Sequence, residues 1–414
     1  MKISDGQVLS SDKYRLTRAN SIEAIIKVTE RCNINCSYCY FFNGGDEDYK
    51  KHPPLLSLAI ATDIAHFLRD GARELGAPTI ALDFHGGEPL LMKKDKFAEI
   101  CEMFKSVLGQ EFELQFRVQT NGMLVDEGWI QIFETYQFMV GVSLDGPEEY
   151  NDRYRVDHKG NGTYQRVAKG IKLLRAAADQ GRIPQFGALC VINPQYSGKE
   201  IYRHFIDELG FLGMNFLLPL ETYDEIKLQP GVAKKYGQFI CDVFDEYVKD
   251  DNARIRVSIL QNALVAMAGG AKDAAVRHKA LGWDHQAFVI SSNGDIGPDD
   301  TLRRTHAGFF ASGANVTNIS LAEYLNYPLY RNLRAAQGQL HDNCESCCWR
   351  NACYGGDLIN RYNARKGFDN PSALCGGLQD FYSHVAAYLL KHGLELETLN
   401  EFAEWRPVEL ALSA

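Results

Sequence analysis

No run of apolar residues in this 414-residue chain approaches the roughly 18 needed to cross a bilayer. Residues 1–20 are polar and charged and lack the apolar stretch of a secretory signal. There is no basic excess either. The 44 Lys and Arg face 53 Asp and Glu, a formal charge of -9, which argues against broad binding to nucleic acid or an anionic membrane. Proline is sparse, and the glycines follow no triplet period. Internal repeats and low-complexity tracts are absent, which sets aside solenoid and collagen-like architectures. What remains is an ordinary globular composition, 45% hydrophobic and 23% charged, of a length for two or three domain-sized units. The expected location is cytoplasmic, with no nucleic-acid or membrane partner.

Short β-type runs alternate with helical periods along the first half. Strands are expected at 24–28, 79–84, 113–119, 138–144, 185–192 and 215–218. Helices are expected at 58–75, with Ser57 as N-cap, and at 96–108, 128–135, 162–178 and 198–209. Six strands alternating with helices imply parallel βαβ units, and right-handed crossovers curl them toward a barrel. The expected fold class is α/β, a partial (β/α)6 TIM-like barrel followed by a small C-terminal unit. The expected divisions are an N-terminal extension (1–20), the barrel (21–224), a helical linking region (225–282), a cysteine-rich unit (283–384) with a hairpin at 286–297, and a tail (385–414). A closing helix is expected at 382–391.

Eleven cysteines are unevenly placed. Cys101, Cys190 and Cys241 lie among apolar residues and read as core. Cys32, Cys36 and Cys39 form a CX3CX2C motif directly after the first strand. Three thiolates in one loop can hold three irons of a [4Fe–4S] cluster and leave the fourth iron open to a small ligand. A structural zinc site normally has four protein ligands, and no fourth lies close by.

With this motif the chain resembles the radical S-adenosylmethionine (SAM) enzymes. The resemblance implies that the open iron chelates SAM, and that reductive SAM cleavage yields a 5′-deoxyadenosyl radical. It assigns Gly86, Gly87 and Glu88 of His85-Gly-Gly-Glu-Pro89 to the SAM amino group. It sets Tyr38 against the adenine and Ser143 against the ribose, with Gln119 and Asn121 presenting polar groups beside it. Arg155 pairs with the SAM carboxylate, and Leu189 lines the adenine pocket. An electron donor such as flavodoxin or ferredoxin is implied.

Cys344, Cys347, Cys353 and Cys375 resemble the SPASM-type unit of radical SAM enzymes that modify peptides. That pattern holds two auxiliary clusters. Here Asp299 and Asp357 stand where cysteines of the inner one belong, while the outer set is complete. The expectation is two [4Fe–4S] clusters in all, one at the SAM site and one auxiliary, with a carboxylate-lined space in place of a third. Four thiolates suit zinc equally well, and the family context is what favours iron and sulfur. Cys348 has no place in the pattern.

Among peptide-modifying branches, residues 353–375 resemble the maturases that crosslink an aromatic ring to a side-chain β-carbon. The expected reaction is cyclophane formation on a ribosomal precursor peptide. The alternatives are an anaerobic sulfatase-maturing enzyme, which oxidises Cys or Ser to formylglycine, and a non-enzymatic peptide-binding scaffold with structural zinc. Asp300 is the expected catalytic acid–base residue, with a pKa raised by burial beside the peptide.

Overall fold

Alternation along Ser21–Thr29 separates two faces. Ile22, Ala24, Ile26 and Val28 are buried under the helices, while Glu23, Ile25 and Lys27 point to the opposite, inner side. The same period runs through the other strands of a computed structural model, which describes residues 15–270, 272, 285–305, 310 and 312–406. Residues 1–14 of the expected extension, residues 271 and 273–282 of the linking region, residues 283–284, 306–309 and 311 of the cysteine-rich unit and residues 407–414 of the tail lie outside the described residues.

In chain order the strands are β1 (Ser21–Thr29), β2 (Ile34–Cys36), β3 (Thr79–Gly86), β4 (Glu113–Thr120), β5 (Met139–Ser143), β6 (Arg155–Asp157), β7 (Gln185–Val191), β8 (Gly213–Leu217), β9 (Arg256–Val257), β10 (His285–Ile290) and β11 (Ile296–Gly297). The main sheet runs β11-β10-β1-β3-β4-β5-β7-β8-β9. The six expected strands pair in parallel as β1, β3, β4, β5, β7 and β8. β10 also joins in parallel, beside β1, and folds back antiparallel onto β11. The fold is thus the expected α/β partial barrel with a parallel sheet. A second ribbon, β2 with β6, is antiparallel.

Helices at Leu58–Leu75, Lys94–Leu108, Glu127–Tyr136, Tyr164–Asp179 and Gly198–Arg203 cover the outer face. Ser57 caps the first, accepting from the Ile60 N–H, and left-handed Gly76 ends it. Phe84 meets Phe97, Phe104, Phe116 and Phe138 under this layer. The helix expected to run to 209 changes to a π turn at His204–Glu208. No helix among the described residues is long and apolar enough to cross a membrane.

The closing helix is longer than the sequence implied. It spans Cys375–Lys391 and so begins at a cysteine. Gly376 and Gly377 read as helix breakers, yet Gly377 sits where this helix crosses the helix Val232–Asp250. A Cβ there would lie 1.8 Å from the Ala233 carbonyl oxygen, and one on Gly237 would lie 2.4 Å from the Gly377 oxygen. The crossing therefore fixes the first turn of the helix that carries Cys375. Gly377→Val should separate the helices and destabilise the protein by about 1–3 kcal/mol. Chemical denaturation should record a lower midpoint with an unchanged slope, whereas an unchanged midpoint would mean that the contact is dispensable.

Candidate active site

β1 delivers the chain to the cysteine loop, and the β2–β6 ribbon closes over it. The ribbon register sets Cys36 opposite Arg155. His158 Nε2 donates to the Cys32 carbonyl at 2.8 Å. The three thiols are neighbours. Burial pushes Cys32 up to about 12, and the proximity of Glu88, Cys36 and Cys39 adds to the rise. Burial also raises Cys36, partly offset by Arg155. Thiolates here need a positive partner, which an iron–sulfur cluster provides.

The three cysteines open onto a cavity of about 600 Å³ at the C-terminal ends of the strands. Tyr38, Gly86, Gly87, Gln119, Asn121, Ser143, Arg155 and Leu189 all line it. Gly86 and Gly87 permit a close backbone crossing, since Cβ atoms there would lie 2.1 Å and 2.2 Å from the carbonyl oxygens of Thr29 and Arg31. Ser143 Oγ accepts from Gln119 Nε2 at 2.8 Å. Arg155 Nη1 donates to the Tyr38 hydroxyl at 2.8 Å, and Tyr38 donates to Asp145. Arg155 Nε is buried with no partner among the described residues. An unpartnered guanidinium N–H on the wall suits the carboxylate of SAM. Glu88 departs from expectation. It is fully buried behind the wall and accepts from Thr120 Oγ1 at 2.6 Å and the Asn121 N–H at 2.7 Å. It holds the 119–121 turn rather than facing the cavity.

Asp300 also differs from the expectation. It lies on a 3-10 turn, Asp300–Arg304, not on a strand, and it is buried but absent from the cavity wall. Its Oδ2 accepts from Lys27 Nζ and from the Tyr40 hydroxyl, and its Oδ1 accepts from Arg303 Nε at 2.7 Å. Burial alone would raise its pKa. The charges of Lys27 and Arg303 outweigh burial and hold the carboxyl well below the usual range. The expected rise is thereby corrected: two cations pin the carboxylate in its ionised form.

Asp299 and Asp357 are exposed, with protein groups crowding their carboxyl ends. Burial raises both pKa values, and the charge of Asp299 adds to the rise at Asp357.

Cys344, Cys347, Cys353 and Cys375 ring a separate cavity of about 180 Å³ with Trp349, Leu378 and Tyr382. Short helical turns at Asp342–Glu345 and Arg350–Cys353 supply two of them. Burial raises Cys353 to about 12, with Cys375, Cys344 and Cys347 contributing. Among the described residues no three such side chains converge on a point that would hold a single metal ion. The four thiols face one shared volume, a donor set that suits either an iron–sulfur cluster or zinc. Cys348 is exposed and outside this ring, and Cys101, Cys190 and Cys241 are core.

Sequence reasoning missed Lys27, Tyr40, His85 and Arg303. Period-two alternation along β1 could have flagged Lys27 as an inward-facing cation. His85, which immediately precedes the double glycine, carried a positional signal as well.

Residues 26–183 match the model of the radical SAM superfamily. The chain is 26% identical over 382 residues to the serine-type anaerobic sulfatase-maturating enzyme of Bacteroides thetaiotaomicron, covering 86% of this chain and 87% of that protein. It is 24% identical to the cysteine-type enzyme of Clostridium novyi, with 87% and 94% covered. The solved structure of native anSMEcpe with bound AdoMet and Cp18Cys peptide has the same fold, with a TM-score of 0.73 at 21% identity over 90% of this chain and 98% of that one. These findings overturn the expected cyclophane reaction. That expectation weighed a short C-terminal segment and a reduced ligand set, whereas the likeness to sulfatase-maturating enzymes extends over most of the chain. The chain thus matches the radical SAM superfamily over residues 26–183 and is similar, along most of its length, to anaerobic sulfatase-maturating enzymes.

Proposed function

We propose that the protein oxidises a Cys or Ser side chain of a sulfatase peptide to formylglycine, with one auxiliary [4Fe–4S] cluster on Cys344, Cys347, Cys353 and Cys375. The observation that carries this reading is the length of the likeness, 86% of this chain against 87% of the serine-type enzyme. When bound, the SAM-site cluster with SAM would supply hydrogen-atom abstraction from the β-carbon and the auxiliary cluster would take the second electron, while the heteroatom's proton passes to solvent; with a Cys target, water then replaces the sulfur, which leaves as hydrogen sulfide.

The protein's own residues bind and exclude water. Arg155, Ser143, Gln119, Gly86 and Gly87 form the SAM end of the cavity. Leu217, Leu218, Pro219, Val232 and Tyr236 give its outer part an apolar wall for a peptide. Asp300 serves as a fixed charge behind Tyr40 and His85. The electron for SAM cleavage comes from a small donor of the flavodoxin or ferredoxin class.

Two measurements test the reading. Anaerobically reconstituted protein should hold about eight irons and eight sulfides per chain, and replacing Cys344 and Cys347 by Ala should lower this to about four. Twelve irons would contradict the assignment of Asp299 and Asp357 as non-ligands, and a tightly held zinc would contradict the auxiliary cluster. A sulfatase peptide containing the target Cys or Ser should acquire an aldehyde, captured with a hydrazide and located by fragment masses. A peptide left unoxidised while 5′-deoxyadenosine accumulates would overturn the assignment to sulfatase maturation.

A further inference from the structure

Lys27 and His85 are register partners on β1 and β3, and the pairing shifts immediately afterwards, between Lys27 and Thr29. Such a bulge re-aims side chains beside a site. Lys27 is fully buried. Its Nζ donates to Asp300 Oδ2 and lies 3.1 Å from His85 Nδ1, while its charge faces the Phe41 ring at 5.0 Å. Neither Lys27 nor Asp300 reaches the cavity. His85 lines it, immediately before the two glycines of the SAM end.

An ammonium group has only protons to give. Held by the Asp300 carboxylate, it leaves His85 Nδ1 a single role, that of acceptor. The ring proton is then confined to Nε2. We propose that His85 is a substrate-contacting hydrogen-bond donor, its Nε2–H fixed by Lys27 as positioning residue, and that it grips the oxygen or sulfur of the side chain being oxidised. This rests on the reading of the cavity as the site of Cys or Ser oxidation. The heteroatom gains carbonyl-like character as oxidation proceeds, so a preset donor aimed at it favours the product-like geometry.

The same arrangement excludes His85 as the group that takes the heteroatom's proton, because neither ring nitrogen has a free lone pair. The charged groups that act on the ring are Lys27 on β1 and Asp300 on the 3-10 turn, with Arg303 and Tyr40 bonded to Asp300 behind it and Asp83 of β3 facing Lys27. Burial first, and then Lys27, push the His85 pKa down to about 3 against the opposing pull of Asp300 and a hydrogen-bond interaction with the Gly86 backbone, with which the substrate heteroatom competes for the ring N–H. The ring is therefore neutral across the working range.

Two variants separate the roles. In His85→Gln the amide oxygen can accept from Lys27 and the amide N–H can donate to the substrate, so both functions survive. In His85→Leu both are lost. The ratio of peptide oxidised to 5′-deoxyadenosine formed should stay close to wild type in His85→Gln and fall roughly 100-fold in His85→Leu. A His85→Gln variant as impaired as His85→Leu would make His85 a proton acceptor and overturn the proposal, as would a His85→Leu variant that remains fully coupled.

A second readout does not depend on turnover. In full-length, cluster-reconstituted protein labelled with ¹⁵N-histidine, the His85 signals, assigned by their loss in His85→Gln, should report a neutral ring protonated at Nε2 from about pH 5 to pH 8. A ring that titrates in that range, or that carries its proton on Nδ1, overturns the Lys27–His85 assignment. If wild-type protein leaves every sulfatase peptide unoxidised, the formylglycine reading fails, while the ring tautomer still decides this one.

Discussion

The buried ion pair between Lys27 and Asp300 joins the first strand of the sheet to the turn that follows the last. Each partner is expensive to bury alone; removal of Asp300 would leave the Lys27 charge uncompensated, a loss of about 3–5 kcal/mol, whereas removal of Lys27 leaves Asp300 paired with Arg303. The pair is embedded in a larger balanced set. Arg303 bridges Asp300 and Asp46, and Tyr40 donates to Asp300. Tyr40 and Asp46 belong to the segment that follows Cys39. The cysteine loop, the inner face of the sheet and the C-terminal unit thus share one network of two cations and two carboxylates. The position of the loop over the strand ends follows from satisfying those charges.

Desolvation is the common condition of the site. It raises the thiols of Cys32, Cys36 and Cys353, the hydroxyl of Tyr38 and the carboxyl of Asp145. Only groups with a matched partner keep their charge. Arg155 is such a group, facing Tyr38, Cys36 and Asp145. The protein has concentrated polar groups at one end of the sheet, where the chemistry of SAM and a cluster can match them. The opposite, outer face is filled by Phe84 and its ring neighbours.

Local signals were legible and long-range ones were not. The helix Leu58–Leu75, its Ser57 cap and the six parallel strands follow from periodicity and capping chemistry, which act over a few residues. β10 was visible as one arm of a hairpin, but its parallel seat beside β1 is set by tertiary pairing that no local pattern encodes. The eight residues set at the cavity by resemblance do line it, whereas Glu88 braces the wall from behind. Asp300 was found as a residue, but its charge state was misread. A pKa depends on partners distant in the chain, and Lys27 lies at the opposite end of the sequence from it.

The misreading of the reaction has a physical lesson of its own. On the proposed ligand assignment, Asp299 and Asp357 stand in place of soft thiolates, and hard carboxylates do not hold an iron–sulfur cluster in their stead. That loss bears on where an electron can go. It says little about which hydrogen is abstracted, which depends on how the cavity wall holds the target side chain. The wall is built from the cysteine loop, from β3, β4, β5, β7 and β8 and from the segments that follow them as far as Tyr236, with Arg304 beside them, and none of it comes from residues 353–375. In the proposed reaction the substrate electron reaches the Cys344 set, while the Lys27–Asp300 pair orients the groups that face the substrate. On that reading ligand number and reaction type are independent features, and the reaction has to be read from the residues that wall the cavity.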